Sequence, residues 1–360
     1  MTDTLFDSVH IVGAGLLGTS AGLALTGLGI AVTLEDSSTL ALGVAEDYGA
    51  GSRRSPQDDE PDLVIVASPP DTVVDLVAEN LSRFRSAVVM DLASVKLPIV
   101  EGVAKKSDSF SRFVGSHPMA GRERGGAVSA RSDLFTARPW VICPNSEPSN
   151  SVVRGLISLL GALPLEMSAE DHDRAVAQIS HFPQLVSSLA AARLDGTTRE
   201  ALGLAGSGVR DVTRIAESDP QLWVQILSKN KEPILETLLA FKQDLEVLIE
   251  AIQTKDPVVS RDSVLKVLEA GVRGVQKLPG KHGEVSRFSS ITVVIRDIPG
   301  ELARLLYDLG DWGINLEDLS LEHSPGAQVG FAELLVAQKS LKKVEQNLKA
   351  SGWSVAGERR

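Results

Sequence analysis

The stretch that most constrains this chain is Val9-His-Ile-Val-Gly-Ala-Gly-Leu-Leu-Gly-Thr-Ser20. It reads as a short buried strand, a glycine turn and a helix start. Gly13, Gly15 and Gly18 form G-x-G-x-x-G. Gly13 permits the tight turn, Gly15 leaves room for a pyrophosphate, and Gly18 lets helix and strand pack closely. The free N–H groups at the helix start, over Leu16 and Leu17, then face the phosphates. In isolation the motif reads equally as an ordinary glycine-rich turn. Here a second strand, Ala31-Val-Thr-Leu-Glu35, follows at βαβ distance and runs into Asp36. An acidic residue about 20 positions after the glycines is the ribose partner of a bound dinucleotide. Asp36, with no arginine in Ser37-Ser38-Thr39 to take a 2′-phosphate, points to NAD.

More strand-like runs follow: Leu63–Ala67, Ala87–Asp91, Phe113–Ser116 and Trp140–Cys143. With helical stretches between them, they predict an α/β fold with a doubly wound parallel sheet over residues 1–167. Ligands of such sheets bind at the carboxyl ends of the strands. Ser68, the segment Asp91–Lys96 and His117 all fall there. From about Ser168 helical periodicity takes over. Ser168 is a candidate N-cap, Asp219-Pro220 opens another helix, and Pro233 kinks or restarts it. The apolar stripe Leu235, Leu238, Leu239, Leu245, Leu248, Ile249 and Ile252 suggests helix–helix packing between subunits. Residues 168–282 therefore read as an all-helical domain that joins a homodimer. Lys277–Gly283 is a linker by composition. Strands and helices over 288–360 follow the order βαββαβ, a ferredoxin-like unit.

Composition narrows the function. The net charge of −11, with no basic block, argues against nucleic acid. No apolar run approaches membrane-spanning length and no leader is visible, so a cytoplasmic protein without a membrane partner is expected. The single Cys143 fits a reducing compartment and reads as a small core residue. No His, Asp and Glu cluster has metal-ligand spacing, and no metal is expected.

Several residues are candidates for chemistry. His117, in Gly115-Ser-His-Pro-Met-Ala-Gly121, stands at a strand end, as a base or as a simple strand cap. Ser94 reads as a hydrogen-bonding group for substrate or nicotinamide, or as a helix cap. Arg214, in Arg210-Asp-Val-Thr-Arg-Ile-Ala216, suits a carboxylate ligand or a pair with Asp211 one turn back. His181 and Gln184, in Ile179-Ser-His-Phe-Pro-Gln184, lie one turn apart as candidate substrate contacts, although a lone His on an apolar helix is more often a satisfied core group than a ligand.

Taken together, G-A-G-L-L-G, S-V-K, G-S-H-P-M-A-G, S-H-F-P and R-D-V-T-R-I-A-E-S-D-P-Q-L-W resemble the prephenate dehydrogenase family of tyrosine biosynthesis. The tail, opening D-I-P-G-E-L, looks like an ACT-type regulatory domain. The resemblance implies an NAD-dependent oxidative decarboxylation of prephenate to 4-hydroxyphenylpyruvate. It casts His117 as the base and Ser94 as the group orienting the ring hydroxyl. Arg214 would hold a substrate carboxylate, with Glu123 and Asp211 in its ionic network and Trp223 beside it. Gln184 stands where many relatives have a second histidine, and Arg122 where many have a small residue. Asp297, Gly300, Asn315 and Leu316 would contact an aromatic amino-acid effector. Arogenate dehydrogenase, another hydroxyacid dehydrogenase and a catalytically silent amino-acid sensor are the alternatives.

Overall fold

In the computed structural model, the described residues are 6–122, 124–278, 288–323 and 328–359. Contacts divide the chain into two compact units, Met1–Thr197 with Val212–Phe241, and Thr198–Asp211 with Lys242–Arg360.

The first unit is built on a sheet of eight strands, of which the central ones are buried on both faces. The strands are β1 (Ser8–Val12), β2 (Ala31–Glu35), β3 (Ser52–Arg53), β4 (Leu63–Val66), β5 (Val88–Asp91), β6 (Phe113–Pro118), β7 (Pro139–Cys143) and β8 (Leu163–Glu166). Their order is β3-β2-β1-β4-β5-β6-β7-β8. Alternate residues of one strand enter different cores. Leu63 and Ile65 pack on one face with Val9, Ile11 and Met90. Val64 and Val66 pack on the other with Val12 and Val89. The helices α1 (Leu16–Gly27), α2 (Thr39–Asp47), α3 (Val73–Arg83), α4 (Leu97–Lys106) and α5 (Glu147–Leu159) cover the sheet. α1, α2 and α5 bury Leu25, Leu42 and Leu156 in the first core, whereas α3 and α4 bury Val77 and Ile99 in the second.

The sheet departs from the expected one in three places. β7 runs antiparallel to β6. A parallel neighbour needs a crossover of a dozen or more residues, usually a helix. Among its described residues the 119–138 connection carries the short turn Ala127–Ser129 and no crossover helix. β3 and β8 also join the sheet. Their residues are exposed and β8 contains Pro164, so neither shows an apolar run.

Beyond the sheet come α6 (Ala169–Val176), α7 (Phe182–Ala192), α8 (Arg199–Leu202), α9 (Ser207–Thr213), α10 (Pro220–Lys229), α11 (Lys231–Gln253) and α12 (Pro257–Val275). The Ser168 side chain caps α6 through the Asp171 N–H, as expected, and Asp219 caps α10. α10 places Ile226 and Trp223 on the second core. A π-helical turn, Ala177–His181, joins α6 to α7. Pro233 falls in the first turn of α11, so the chain restarts there. Residues 279–283 of the expected linker lie outside the described residues.

In the second unit, β9 (Phe288–Arg296), β10 (Leu316–His323), β11 (Val329–Ala337) and β12 (Ser354–Arg359) form a sheet of order β10-β11-β9-β12. With α13 (Glu301–Asp311) and α14 (Leu341–Ala350) they follow βαββαβ, the order read from sequence. Ile291, Val293, Leu305, Leu334, Val344 and Leu348 fill the core. Among the described residues, no helix is long and apolar enough to cross a membrane.

Beneath the carboxyl ends of β5 and β6 lies a charged pair with no solvent contact, Asp91 and Lys96. The Lys96 ammonium also donates to the Ser116 carbonyl at 2.7 Å. Asp91 accepts from the N–H groups of Ser116 and Ala93, and Trp140 Nε1 donates to Ser116 Oγ at 3.0 Å. Burial pushes the Asp91 carboxyl up, while Lys96 and the N–H groups pull it down. Removing one partner strands the other charge, a loss of about 3–5 kcal/mol. Lys96→Met should therefore lower the free energy of urea unfolding by about that amount. Adding Asp91→Leu should restore part of it.

Candidate active site

The glycine turn builds one wall of a cleft. A Cβ on Gly13 would stand 2.4 Å from the Ala67 carbonyl, and one on Gly18 1.9 Å from the Gly13 carbonyl. Strand, turn and helix are thus in backbone contact. A Cβ on Gly15 would meet nothing within 4 Å, because Gly15 faces the open cleft. The cleft encloses 1140 Å³ along the carboxyl ends of the strands, lined by Gly13, Gly15, Leu16, Leu17, Asp36, Ser68, Ser94 and His117. Gly18 supports the turn from behind. Asp36 accepts from Ala14 N at 2.6 Å and from Ser38 N at 2.7 Å, which fixes its carboxylate at the end of β2. The open space over Gly15, the helix start and a held carboxylate fit a dinucleotide.

A second cavity of 360 Å³ is lined by Arg122, Gln184, Arg214, Ile215 and Trp223, among others. It shares Gly121, Arg122, Ser218 and Trp223 with the cleft, so the two spaces adjoin. The antiparallel return after β6 brings Arg122 here, where its guanidinium also donates to the Ser129 carbonyl at 3.1 Å. α7 contributes Gln184, which is buried. Arg214 opens the short turn Arg214–Glu217 before α10.

His117 stands at the end of β6, half-buried against the cleft. Its Nδ1 lies 2.9 Å from Nε2 of His172, whose Nδ1 lies 2.7 Å from Asp173 Oδ1. Burial, then the electrostatic influence of the neighbouring His172, Lys96 and His181 side chains, holds the His117 pKa well below its ordinary value near 6.5. The imidazole is therefore neutral at neutral pH. His172 and Asp173 were missed as site residues, because a His-Asp pair in a first helical turn reads as helix surface. The only signal was the adjacency of the two residue types.

The remaining candidates fall elsewhere. His181 is buried and lines neither cavity. Its Nδ1 contacts Asn230 Nδ2 at 3.1 Å, its ring meets Trp223 edge-on at 6.0 Å, and burial lowers its pKa to about 4. Asp211 is exposed on α9. Glu123 lies outside the described residues. Burial lifts the Cys143 thiol to about 12, which leaves it inert.

Comparison with known proteins gives this geometry a family. Residues 21–163 match the nucleotide-binding domain of prephenate dehydrogenase, and residues 168–268 its dimerization domain. The probable prephenate dehydrogenase NovF of Streptomyces niveus is 30% identical over 354 residues, covering 95% of this chain and 98% of that protein. The chain belongs to the prephenate dehydrogenase family. The Bacillus subtilis prephenate dehydrogenase is 27% identical over 337 residues, 88% of each chain. The Aquifex aeolicus prephenate dehydrogenase, solved with hydroxyphenyl propionate and NAD+, superposes with a TM-score of 0.68 at 27% identity, over 76% of this chain and 99% of that one. As a member of this family, the chain is an NAD-dependent oxidoreductase.

The two inner glycines should respond differently to substitution. Gly15→Val should leave the melting temperature unchanged and weaken NAD about tenfold or more, close to 1.4 kcal/mol, by calorimetry. Gly18→Ala should destabilise the fold itself.

Proposed function

We infer that this chain catalyses the NAD-dependent oxidative decarboxylation of prephenate to 4-hydroxyphenylpyruvate. The observation that carries this reading is the adjacency of the two spaces. A dinucleotide cleft ending on a neutral histidine opens beside a cavity lined by two arginines. NAD, when bound over Gly13, Gly15 and Asp36, supplies the hydride acceptor. His117 takes the proton of the ring hydroxyl, which is lost as the ring carbon is oxidised. Ser94, on the cleft wall, orients that hydroxyl. Loss of the ring carboxylate as carbon dioxide leaves its electron pair in the ring, which becomes aromatic. The same histidine then returns its proton to the phenolate oxygen.

Arg214 holds a substrate carboxylate through charge-assisted hydrogen bonds, and Arg122 adds positive potential to the same cavity. Gln184 supplies a neutral amide beside them. Arogenate would bring an ammonium to this place, and no carboxylate side chain lines the cavity among its described residues to receive it. The reading therefore favours prephenate over arogenate, and Asp36 favours NAD over NADP.

We also propose a homodimer. Leu235, Leu239, Leu245 and Ile252 are all more than two-fifths exposed along α11, an apolar stripe that a second copy would cover. The βαββαβ unit is proposed to be an ACT-type regulatory domain for an aromatic amino acid. Its effector would lie at Asp297, at Gly300, which is left-handed before α13, and at Asn315 and Leu316 entering β10.

The central experiment is an activity assay of prephenate or arogenate against NAD or NADP. Prephenate with NAD should give the highest kcat/KM. Higher efficiency with arogenate would remove the role given to Gln184. His117→Asn should lower kcat by about 10²- to 10⁴-fold. Arg214→Ala should instead raise KM for prephenate, by an amount equivalent to about 1.5–3 kcal/mol, with NAD binding intact. Since the neutral imidazole is the base and its pKa is lowered, kcat/KM should hold as pH falls through 6.5 and decline only at more acid pH.

A further inference from the structure

We infer that His172 and Asp173 are positioning residues that fix the tautomer of His117 and leave its Nε2 as the proton acceptor. The inference rests on the reading of His117 as the base.

The argument starts at Asp173, which is 2% exposed on α6. Its Oδ1 accepts from Lys96 N at 2.7 Å and its Oδ2 from Leu97 N at 2.9 Å, two backbone donors at the start of α4. Its own carbonyl accepts from Asn230 Nδ2 at 2.8 Å. The carboxylate is thus tied to one place, and an ionised carboxylate can only accept. The contact of 2.7 Å from His172 Nδ1 to Asp173 Oδ1 therefore carries its hydrogen on Nδ1. In a neutral His172 the remaining ring nitrogen, Nε2, is then an acceptor. It faces His117 Nδ1 at 2.9 Å, so the hydrogen in that contact belongs to His117. With its proton on Nδ1, neutral His117 has its lone pair on Nε2.

The geometry carries this further than a single hydrogen bond would. Three elements meet here: β6 bears His117, α6 bears His172 and Asp173, and α4 with its N-cap Lys96 supplies the two N–H groups. His172 is 1% exposed, so water does not compete for its ring nitrogens. The two rings stand edge to face, 76° apart with centroids at 5.1 Å, which also limits rotation of the His117 ring. When Nε2 takes the hydroxyl proton, the new positive charge is held toward Asp173 through His172. The carboxylate stays ionised, as the third member of such an arrangement does. A doubly protonated His172 would reverse the polarity. Its Nε2 would donate to His117 Nδ1, the His117 proton would sit on Nε2, and the base would be blocked.

Nitrogen NMR of the full-length protein labelled with ¹⁵N-histidine reads this directly, without substrate. The chain has six histidines, and the His117→Asn variant identifies the signals of the base. At neutral pH, His117 should show a protonated Nδ1 and an unprotonated Nε2. His172→Asn keeps a side chain able to reach Asp173 but removes the partner of His117. It should let the His117 proton redistribute to Nε2 and lower kcat by about 10²-fold, with KM for prephenate and for NAD within about twofold. A wild-type His117 protonated on Nε2 overturns the inference. So does a folded His172→Asn variant with unchanged tautomer and turnover. If that variant does not fold, the wild-type spectrum still decides. Failure of the base assignment would appear separately, as normal turnover in His117→Asn.

Discussion

The site depends on a charged pair that never meets water. Lys96 and Asp91 lie under the carboxyl ends of β5 and β6 and draw three backbone groups around them, the Ser116 carbonyl and the N–H groups of Ala93 and Ser116. A buried ion pair adds little net stability, because desolvating both ions offsets their attraction. What this one supplies is definition. It joins the loop after β5 to the strand that carries His117, and it sets a positive potential behind that imidazole. The S-V-K segment thus acts from below the site. Ser94 lines the cleft, whereas Lys96 is sealed in the core.

Around this point the two spaces divide the labour. The cleft is made by backbone. Glycines bring the strand and helix together, and one glycine is left facing open space. The adjoining cavity is made by side chains from the return after β6, from α7 and from the turn before α10. The first suits a ligand recognised by its phosphates, the second a small carboxylate substrate. The chain belongs to the prephenate dehydrogenase family and is an NAD-dependent oxidoreductase, and His117 lines the first of these spaces. Its surroundings keep the ring neutral by burial and by nearby positive charge, so it is ready to accept a proton.

Much of the frame was legible because the signals are local. The G-x-G-x-x-G turn, the continuous apolar run of β4, the Ser168 and Asp219 caps and the alternation of β9 and β11 each lie within a few residues. The strand ends also predicted which residues would face the cleft, since Ser68 and Ser94 come just after β4 and β5 and His117 lies in the last residues of β6. The missed strands were short or exposed, with too little apolar pattern to register. The reversal of β7 followed from a connection with no crossover helix, and nothing in the β7 residues themselves encodes direction.

The sequence by itself therefore determined most of the elements and the nucleotide-binding turn. Those follow from backbone sterics and from periodicity over a few residues. Only the tertiary structure decided which side chains surround His117. His172 stands 55 residues from His117, and Asp173 reaches across 77 residues to the Lys96 amide. His181, a candidate ligand by its position on a helix, turned inward to Asn230 and Trp223. Which way a helical histidine faces depends on what packs against the helix. That is set when α6, α7 and α10 meet the sheet, not by the residues on either side of it.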